Sequence, residues 1–218
     1  MSRGDKENRI GLMGGTFDPI HHGHLVTAES VYEKIELDEV VFVPSGDPPH
    51  KPTENVTCSE HRLKMVEIAT QSNPHFSVSS VEVQREGPSY TIDTVRYYSQ
   101  KYPHNKIYFI TGVDAVVNIP QWKNTDGLFE HCEIIAATRP GYPTKNFFHF
   151  RDQLPRHQRK SLRILAVPAL SISSADLRQR LWEGKSIKYL VPENVEEYIY
   201  EHELYSFSSE MTSFSRFE

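Results

Sequence analysis

Three histidines fall within four residues, just after two glycines that follow a short apolar run. The segment reads GGTFDPIHHGHL, from Gly14 to Leu25. Glycines at this point allow a tight turn and let a ligand approach the main chain closely. A helix that begins near His22 would direct its first free N–H groups, and the positive end of its dipole, toward an anion. The segment therefore favours phosphate as its ligand.

His21 and His24 are three positions apart at the start of this helix, so their rings can project toward one point. Two N–H donors aimed at a phosphoryl group fit such a loop. A metal site would need three or four ligands, and Asp18 is the carboxylate placed to join them. A structural role in capping and packing is the third interpretation. The loop favours phosphate chemistry and leaves the other two interpretations open.

Two common phosphate-binding motifs are absent from the sequence. Gly11, Gly14 and Gly15 do not have the spacing of the dinucleotide fingerprint GxGxxG. The segment Gly184–Ser186 matches only the end of the Walker motif, because Gln179 stands where the first glycine of that motif would be. The segment Gly14–Leu25, here called the histidine loop, would therefore be a phosphate site of a different kind.

Apolar strands alternate with amphipathic helices along the chain. Strands are predicted over residues 9–13, 39–43, 76–83, 106–111, 132–138 and 162–167. Helices are predicted over residues 22–35, 91–100, 175–182 and 193–202, with a further helix beginning at residue 59. This order predicts an α/β fold, a Rossmann-like doubly wound, mostly parallel sheet with helices on both faces. Ligands bind such a sheet beyond the carboxyl ends of its strands, which is where Gly14 and Gly15 lie.

The chain divides into one domain and two short ends. We expect a single domain over residues 9–205, with a helical C-terminal part from about residue 171. Residues 1–8 are expected to be a flexible N-terminus, and the Ser/Phe-rich residues 206–218 a disordered tail. The basic residues 151–163 are interpreted as a solvated connector.

Composition limits the class of protein. The 218 residues carry a formal net charge of −5, and 38% of them are hydrophobic, as in ordinary globular proteins. No apolar run approaches the ~20 residues of a membrane helix, and the polar start is unlike a secretory signal. We expect a cytoplasmic protein that binds neither membrane nor nucleic acid, with Cys58 and Cys132 reduced and buried. Whether it is a homo-oligomer is left open.

Two segments together resemble the nucleotidylyltransferase superfamily. The HxGH motif of that superfamily reads His21–His24 here, and its second motif, ISSTxIR, reads Ile172–Arg178. Ala175 replaces the usual threonine of the second motif and removes one hydroxyl, whereas Leu177 replaces isoleucine at equal volume. Two motifs in this order, each at a strand-to-helix junction, are far more specific than either alone.

Within the superfamily the chain is similar to the bacterial nicotinate-nucleotide adenylyltransferases, from about residue 9 to residue 205. The matching segments are Pro48–Lys51, Gly87–Thr91, Gly112–Asp114, Pro120–Trp122, Arg139–Gly141 and Tyr189–Pro192. The resemblance implies transfer of the adenylyl group of ATP to nicotinate mononucleotide, giving deamido-NAD and pyrophosphate. Another phosphorylated acceptor, such as nicotinamide mononucleotide or phosphopantetheine, is the alternative within enzymes. A nucleotide-binding module without chemistry and a metalloenzyme are the alternatives from other classes.

The resemblance also implies a set of site residues. The catalytic residues would be His21, His24 and Arg178. ATP would be bound by Gly14, Gly15, Thr16, Phe17, His21, His24, Ser173, Ser174 and Arg178. Nicotinate mononucleotide would be bound by Lys51, Tyr90, Thr91, Asp114, Trp122 and Arg139. Trp122 could instead belong to the core and Lys51 could be merely solvated.

The implied reaction needs neither a general base nor a covalent intermediate. The acceptor phosphate has a second pKa of about 6, so at neutral pH it is largely a dianion that can attack the α-phosphorus directly. The enzyme would then position the two substrates and stabilise the developing negative charge. We expect Mg²⁺ to enter with ATP, held mainly by phosphate oxygens and water rather than by protein ligands.

Overall fold

A single parallel sheet forms the centre of the molecule. A computed structural model describes residues 7–48, 56–138, 143–168 and 170–205. The strands are β1 (Arg9–Gly15), β2 (Glu39–Pro44), β3 (Phe76–Val78), β4 (Lys106–Gly112), β5 (Glu133–Thr138) and β6 (Leu162–Ala166). They lie in the order β3-β2-β1-β4-β5-β6, and each pairing is parallel. The predicted doubly wound fold is confirmed.

Helices follow the strands and cover both faces of the sheet. They are α1 (His22–Ile35), α2 (Ser59–Thr70), α3 (Thr91–Lys101), α4 (Val113–Val116), α5 (Thr125–His131), α6 (Lys145–Gln153), α7 (Arg156–Lys160), α8 (Ser174–Trp182) and α9 (Glu193–Glu201). A 3₁₀ turn at Ile119–Gln121 follows α4. The helix predicted over residues 22–35 has the observed bounds, because the apolar positions at helical spacing end at Ile35. The next residue, Glu36, adopts the left-handed conformation (φ 54°) and ends the helix.

The alternating side chains of the strands divide the core into two clusters. Met13 and Ile110 point to one face and pack with α1, α8 and α9. Leu12 and Phe109 point to the other face and pack with α3, α5 and α6. Both faces are thus buried, which explains why the strands carry few charges.

The direction of winding reverses between β1 and β4. The chain proceeds from β1 outward to β3 on one side, and from β4 outward to β6 on the other. This is the topological switch point of a doubly wound sheet, and it opens a crevice beyond the carboxyl ends of the two strands. Gly15 ends β1 and Gly112 ends β4, so both lie at this crevice.

Three expectations from the sequence are wrong. The strand predicted over residues 76–83 ends at Val78, because the chain then folds into a turn in which the N–H of Gln84 bonds the carbonyl of Ser80. The basic stretch 151–163 is not simply a solvated connector: it contains α7, where buried Gln158 donates to Asp126 at 2.7 Å. Cys132 is buried as predicted, but Cys58 is exposed; both are free thiols.

Several expectations concern residues that the structure does not describe. Most of the predicted N-terminal end, all of the predicted tail 206–218, Lys51 and Arg139 lie outside the described residues. In the ranges that are described, the helices are all too short or too polar to cross a membrane.

Candidate active site

The histidine loop joins β1 to α1 at the edge of the crevice. The N–H of Ser45 bonds the carbonyl of Gly15 at 2.9 Å and so fixes the start of the loop. Phe17 adopts the left-handed conformation (φ 49°), and its buried side chain contacts the ring of His24 edge-on, with centroids 5.0 Å apart. Phe17 can therefore offer only main-chain groups to a ligand.

His21 and His24 form a stacked pair. Their ring centroids are 3.7 Å apart and the ring planes differ by 24°. The main-chain N–H of His21 donates to Nδ1 of His24 at 3.2 Å. A Cβ atom at Gly23 would lie 3.0 Å from the ring of His21, so the glycine makes room for that ring.

Both imidazoles are neutral at physiological pH. Burial, and to a lesser extent the charge of His22, lowers the pKa of His21 to about 4. Burial, followed by the neighbouring His21, holds the pKa of His24 well below its ordinary value. Because Nδ1 of His24 accepts a hydrogen bond, its proton resides on Nε2, which becomes a donor for a ligand. Nδ1 of His21 is buried without a hydrogen-bond partner.

The second motif contacts the histidine loop just before the HxGH motif. Ser173 caps α8, since its Oγ accepts the N–H of Asp176 at 3.1 Å. Oγ of Ser174 donates to the carbonyl of Pro19 at 2.9 Å, and one Nη of Arg178 donates to the carbonyl of Asp18 at 2.6 Å. Segments about 150 residues apart in the sequence are thus joined by hydrogen bonds.

A cavity of about 410 Å³ lies where the two motifs meet. Of the residues predicted for ATP, His21, His24, Ser173 and Ser174 line it. Asp114, which was predicted for the acceptor, lines this cavity and not the next one. The stacked imidazoles and the N-terminus of α8 thereby face one space, an arrangement suited to a phosphate group.

Arg178 lies outside the wall of that cavity. It lines a neighbouring open hollow together with Ala175 and Tyr205. Its side chain is about one-third exposed, and its guanidinium lies 3.8 Å from a carboxylate oxygen of Asp18. Asp18 is in turn held by the hydroxyl of Tyr205, at 2.6 Å. The guanidinium is therefore kept next to the histidine loop but is directed toward Asp18.

A second cavity, of about 470 Å³, begins at the N-terminus of α3. Tyr90, Thr91 and Trp122, all predicted for the acceptor, line it. The first N–H groups of a helix have no partner within the helix, and no side chain caps α3. Ala115 lines this cavity and the histidine cavity, so the two spaces adjoin at α4.

Trp122 and Lys123 shape this second cavity. Trp122 is half-buried, packs against Phe109 with the two rings at 88°, and also faces the cavity. Lys123 was missed by the sequence analysis. Its Nζ lies 4.2 Å from the ring centre of Tyr90 and 3.6 Å from a carboxylate oxygen of Asp93. The sequence feature that could have indicated Lys123 is its position directly after the matching segment Pro120–Trp122.

The metal interpretation gains no support from the part of the chain that is described. No group of three or more His, Cys, Asp or Glu side chains is placed there to hold a metal ion. Asp18, the carboxylate considered for such a site, is instead engaged by Tyr205 and Arg178.

Comparison with known proteins agrees with this geometry. The sequence profile of the cytidylyltransferase-like family matches residues 12–180, which include the histidine loop and the second motif. The chain belongs to this family.

Curated relatives narrow the assignment within the cytidylyltransferase-like family. The chain is 51% identical over 201 residues to the probable nicotinate-nucleotide adenylyltransferase of Moorella thermoacetica, covering 92% of this chain and 93% of that one. It is 47% identical to the protein of the same name from a Thermoanaerobacter species, covering 92% and 96%. The resemblance inferred from the motifs is thereby confirmed.

Solved structures show the same fold. A nicotinic acid mononucleotide adenylyltransferase of Plasmodium falciparum, complexed with NaAD, superposes with a TM-score of 0.72 at 20% identity, covering 91% of this chain and 98% of that one. A nicotinate-nucleotide adenylyltransferase from Vibrio parahaemolyticus, described as putative, superposes with a TM-score of 0.64 at 20% identity, covering 91% and 95%.

Proposed function

We propose that the protein transfers the adenylyl group of ATP to nicotinate mononucleotide, forming deamido-NAD and releasing pyrophosphate. The observation that carries the proposal is the meeting of two cavities at Ala115, one lined by the histidine pair and the other by the N-terminus of α3. Relatives about 50% identical along nearly the whole chain support the same activity.

The chemistry is a direct displacement. An oxygen of the acceptor 5′-phosphate forms a bond to the α-phosphorus of ATP, and the bond from that phosphorus to the bridging oxygen breaks. The electron pair of that bond leaves with pyrophosphate. At neutral pH the acceptor phosphate is already largely a dianion, so no side chain has to remove a proton. The task of the protein is to hold two anions together and to stabilise the charge that builds up between them.

The imidazoles act as uncharged donors in this proposal. Nε2–H of His24 and the ring of His21 offer hydrogen bonds to the α-phosphoryl oxygens without any proton transfer. Their low pKa values keep them in this form throughout the physiological range. Preorganised donors in a water-poor site stabilise a transition state more than the same groups would in water.

Arg178 serves the leaving group in this proposal. Its guanidinium starts from the carbonyl of Asp18, at the border of the histidine cavity. A pyrophosphate is a stronger partner for a guanidinium than a carbonyl oxygen is, because ionised acceptors make stronger hydrogen bonds. We therefore expect the β- and γ-phosphates to draw Arg178 toward them. Mg²⁺ would enter with ATP, held mainly by phosphate oxygens and water rather than by protein ligands, and would offset part of the negative charge.

The second cavity suits a carboxylate on a flat ring. Trp122 offers an aromatic face for the pyridine ring. The free N–H groups at the start of α3, with the Lys123 ammonium nearby, favour an anionic substituent. An amide in the same place would gain less from these groups. Nicotinate mononucleotide is therefore preferred over its amide.

We also propose that the enzyme acts in the cytoplasm.

A pyrophosphate-release assay tests the proposal. ATP and Mg²⁺ are offered with nicotinate mononucleotide, nicotinamide mononucleotide or phosphopantetheine in separate reactions. We expect release with nicotinate mononucleotide and at least tenfold lower kcat/KM with its amide. Equal values for acid and amide would contradict the assigned specificity, and release with phosphopantetheine alone would contradict the assigned acceptor.

A further inference from the structure

One fully buried arginine makes contact with three separate loops. Arg62 lies in the first turn of α2 and is 1% exposed. Its Nε donates to the carbonyl of Thr57 at 2.7 Å. Its two terminal nitrogens donate to the carbonyls of Thr16, at 2.8 Å, and Gly46, at 2.9 Å. The planar guanidinium thus fixes the relative position of three main-chain segments, which a lysine could not do.

The contact with Thr16 connects Arg62 to the histidine loop. Thr16 is the residue between Gly15 and Phe17, and Phe17 packs against the ring of His24. A displacement of the Thr16 carbonyl would be transmitted to the histidine pair through this packing, since close-packed interiors transmit strain.

The contact with Gly46 connects Arg62 to the second cavity, the acceptor cavity of the proposed function. The N–H of Gly46 donates to Oγ of Ser89 at 3.1 Å, and Ser89 lines the acceptor cavity just before Tyr90 and Thr91. A Cβ atom at Gly46 would lie 2.1 Å from the carbonyl oxygen of Glu82, so only glycine fits at this close approach of two main-chain segments. Arg62 therefore bonds the histidine loop directly, at Thr16, and reaches Ser89 in the wall of the second cavity through Gly46.

We propose that Arg62 is a positioning residue for adenylyl transfer, which sets the distance between the ATP phosphate loop and the acceptor cavity. This inference rests on the proposed function. The attack is in line, so the acceptor phosphate and the α-phosphorus have to meet at a defined distance and angle, and a misplacement of 1 Å can cost about 10²-fold in rate. Each cavity would still form around its own substrate if the link between them were lost.

The test compares Arg62→Lys and Arg62→Met with Lys64→Met, a matched control whose side chain is exposed on the same helix. Calorimetry measures the affinity for nicotinate mononucleotide alone and for an uncleavable ATP analogue alone, and a steady-state assay measures kcat. We expect both affinities to stay within about threefold of wild type while kcat falls about 10²-fold. The control should retain all three values.

Two outcomes would overturn the proposal: wild-type kcat in a folded Arg62 variant, or a loss confined to the two affinities with kcat unchanged. If both Arg62 variants fail to fold, Ser89→Ala decides, because it removes the other end of the link to the acceptor cavity without burying or deleting a charge. A lower kcat with retained affinities then supports the proposal, and an unchanged kcat overturns it. Failure of the proposed function itself would be visible in the wild type and in Lys64→Met, which would release no pyrophosphate.

Discussion

The main-chain N–H of His21 donates a hydrogen bond to Nδ1 of His24 at 3.2 Å. One histidine of the HxGH segment therefore selects the tautomer of the other. With Nδ1 of His24 occupied as an acceptor, Nε2 carries the proton and is the atom available to a ligand. The same contact thus caps the start of α1 and makes Nε2–H of His24 the candidate hydrogen-bond donor to a phosphate.

Replacing His24 separates these two roles. In His24→Asn the side-chain carbonyl can still accept the N–H of His21, whereas the donor at Nε2 is lost. We expect kcat to fall by about 10²–10³, the usual effect of removing one preorganised donor, in a protein that remains folded at the assay temperature. His22→Ala is the control, since His22 does not line the cavity. Wild-type turnover in folded His24→Asn would contradict the role of His24.

Acid should destabilise the protein through His21. Its pKa is about 4 when folded and near 6.5 when unfolded, so the unfolded chain binds more protons between these values. The free energy of unfolding is therefore highest above pH 6.5 and falls by about 3 kcal/mol toward pH 4 on account of this group. Urea unfolding at several pH values measures the slope. His21→Gln should show a shallower pH dependence, and an equal slope would show that His21 is not the responsible group.

Arg178 and Arg180 offer a matched comparison on one helix. Arg178 lies against Asp18 beside the histidine loop, whereas Arg180 pairs with Asp176 on the surface. Arg178→Lys keeps the charge but loses the planar fork, so we expect kcat to fall at least tenfold. Arg180→Lys should stay within twofold of wild type. Similar kcat values for the two variants would remove Arg178 from the transfer step.

Trp122 should matter for the acceptor and not for ATP. It faces the second cavity, and the loss of a stacking aromatic face costs about 1 kcal/mol or more. In Trp122→Ala we expect KM for nicotinate mononucleotide to rise about tenfold, while KM for ATP stays within threefold. Phe148→Ala, which removes an exposed aromatic ring from α6, controls for general effects. A larger change in KM for ATP than for the acceptor would reverse the assignment of the cavities.

Lys123 should contribute to the choice between acid and amide. Its ammonium lies beside Tyr90 at the start of α3, where a carboxylate would gain from it and a neutral amide would not. In Lys123→Met we expect kcat/KM for nicotinate mononucleotide to fall several-fold and that for its amide to remain unchanged. Steady-state assays with both mononucleotides measure the ratio, and an equal loss for both substrates would contradict this prediction.

Local patterns predicted much of the fold. The apolar periodicity of residues 22–35 is a local signal, and it predicted the helix with its observed bounds. The first strand was predicted to end at Met13, whereas β1 continues through Gly14 and Gly15. The strand over residues 76–83 was predicted too long because the apolar residues Val81 and Val83 follow β3 within a turn. Val81 packs against the core from that turn, so its apolar character carries no information about strand length.

The site could be predicted only in part, because several of its contacts join distant residues. The bonds from Tyr205 to Asp18 and from Arg62 to Thr16 connect positions far apart in the sequence, and no local pattern announces them. The direction of the Arg178 guanidinium depends on the same network. The motifs predicted which segments meet, whereas the side-chain partners required the packed structure.

A crystal structure of this protein with Mg²⁺ and an ATP analogue that cannot be cleaved at the α,β bond would locate the triphosphate. We expect the α-phosphate to lie within hydrogen-bonding distance of Nε2 of His24, in the cavity shared with Ser173 and Ser174. We also expect Arg178 to turn from Asp18 to the β- or γ-phosphate. A triphosphate bound elsewhere, with the histidine cavity empty, would contradict the proposed role of the histidine pair.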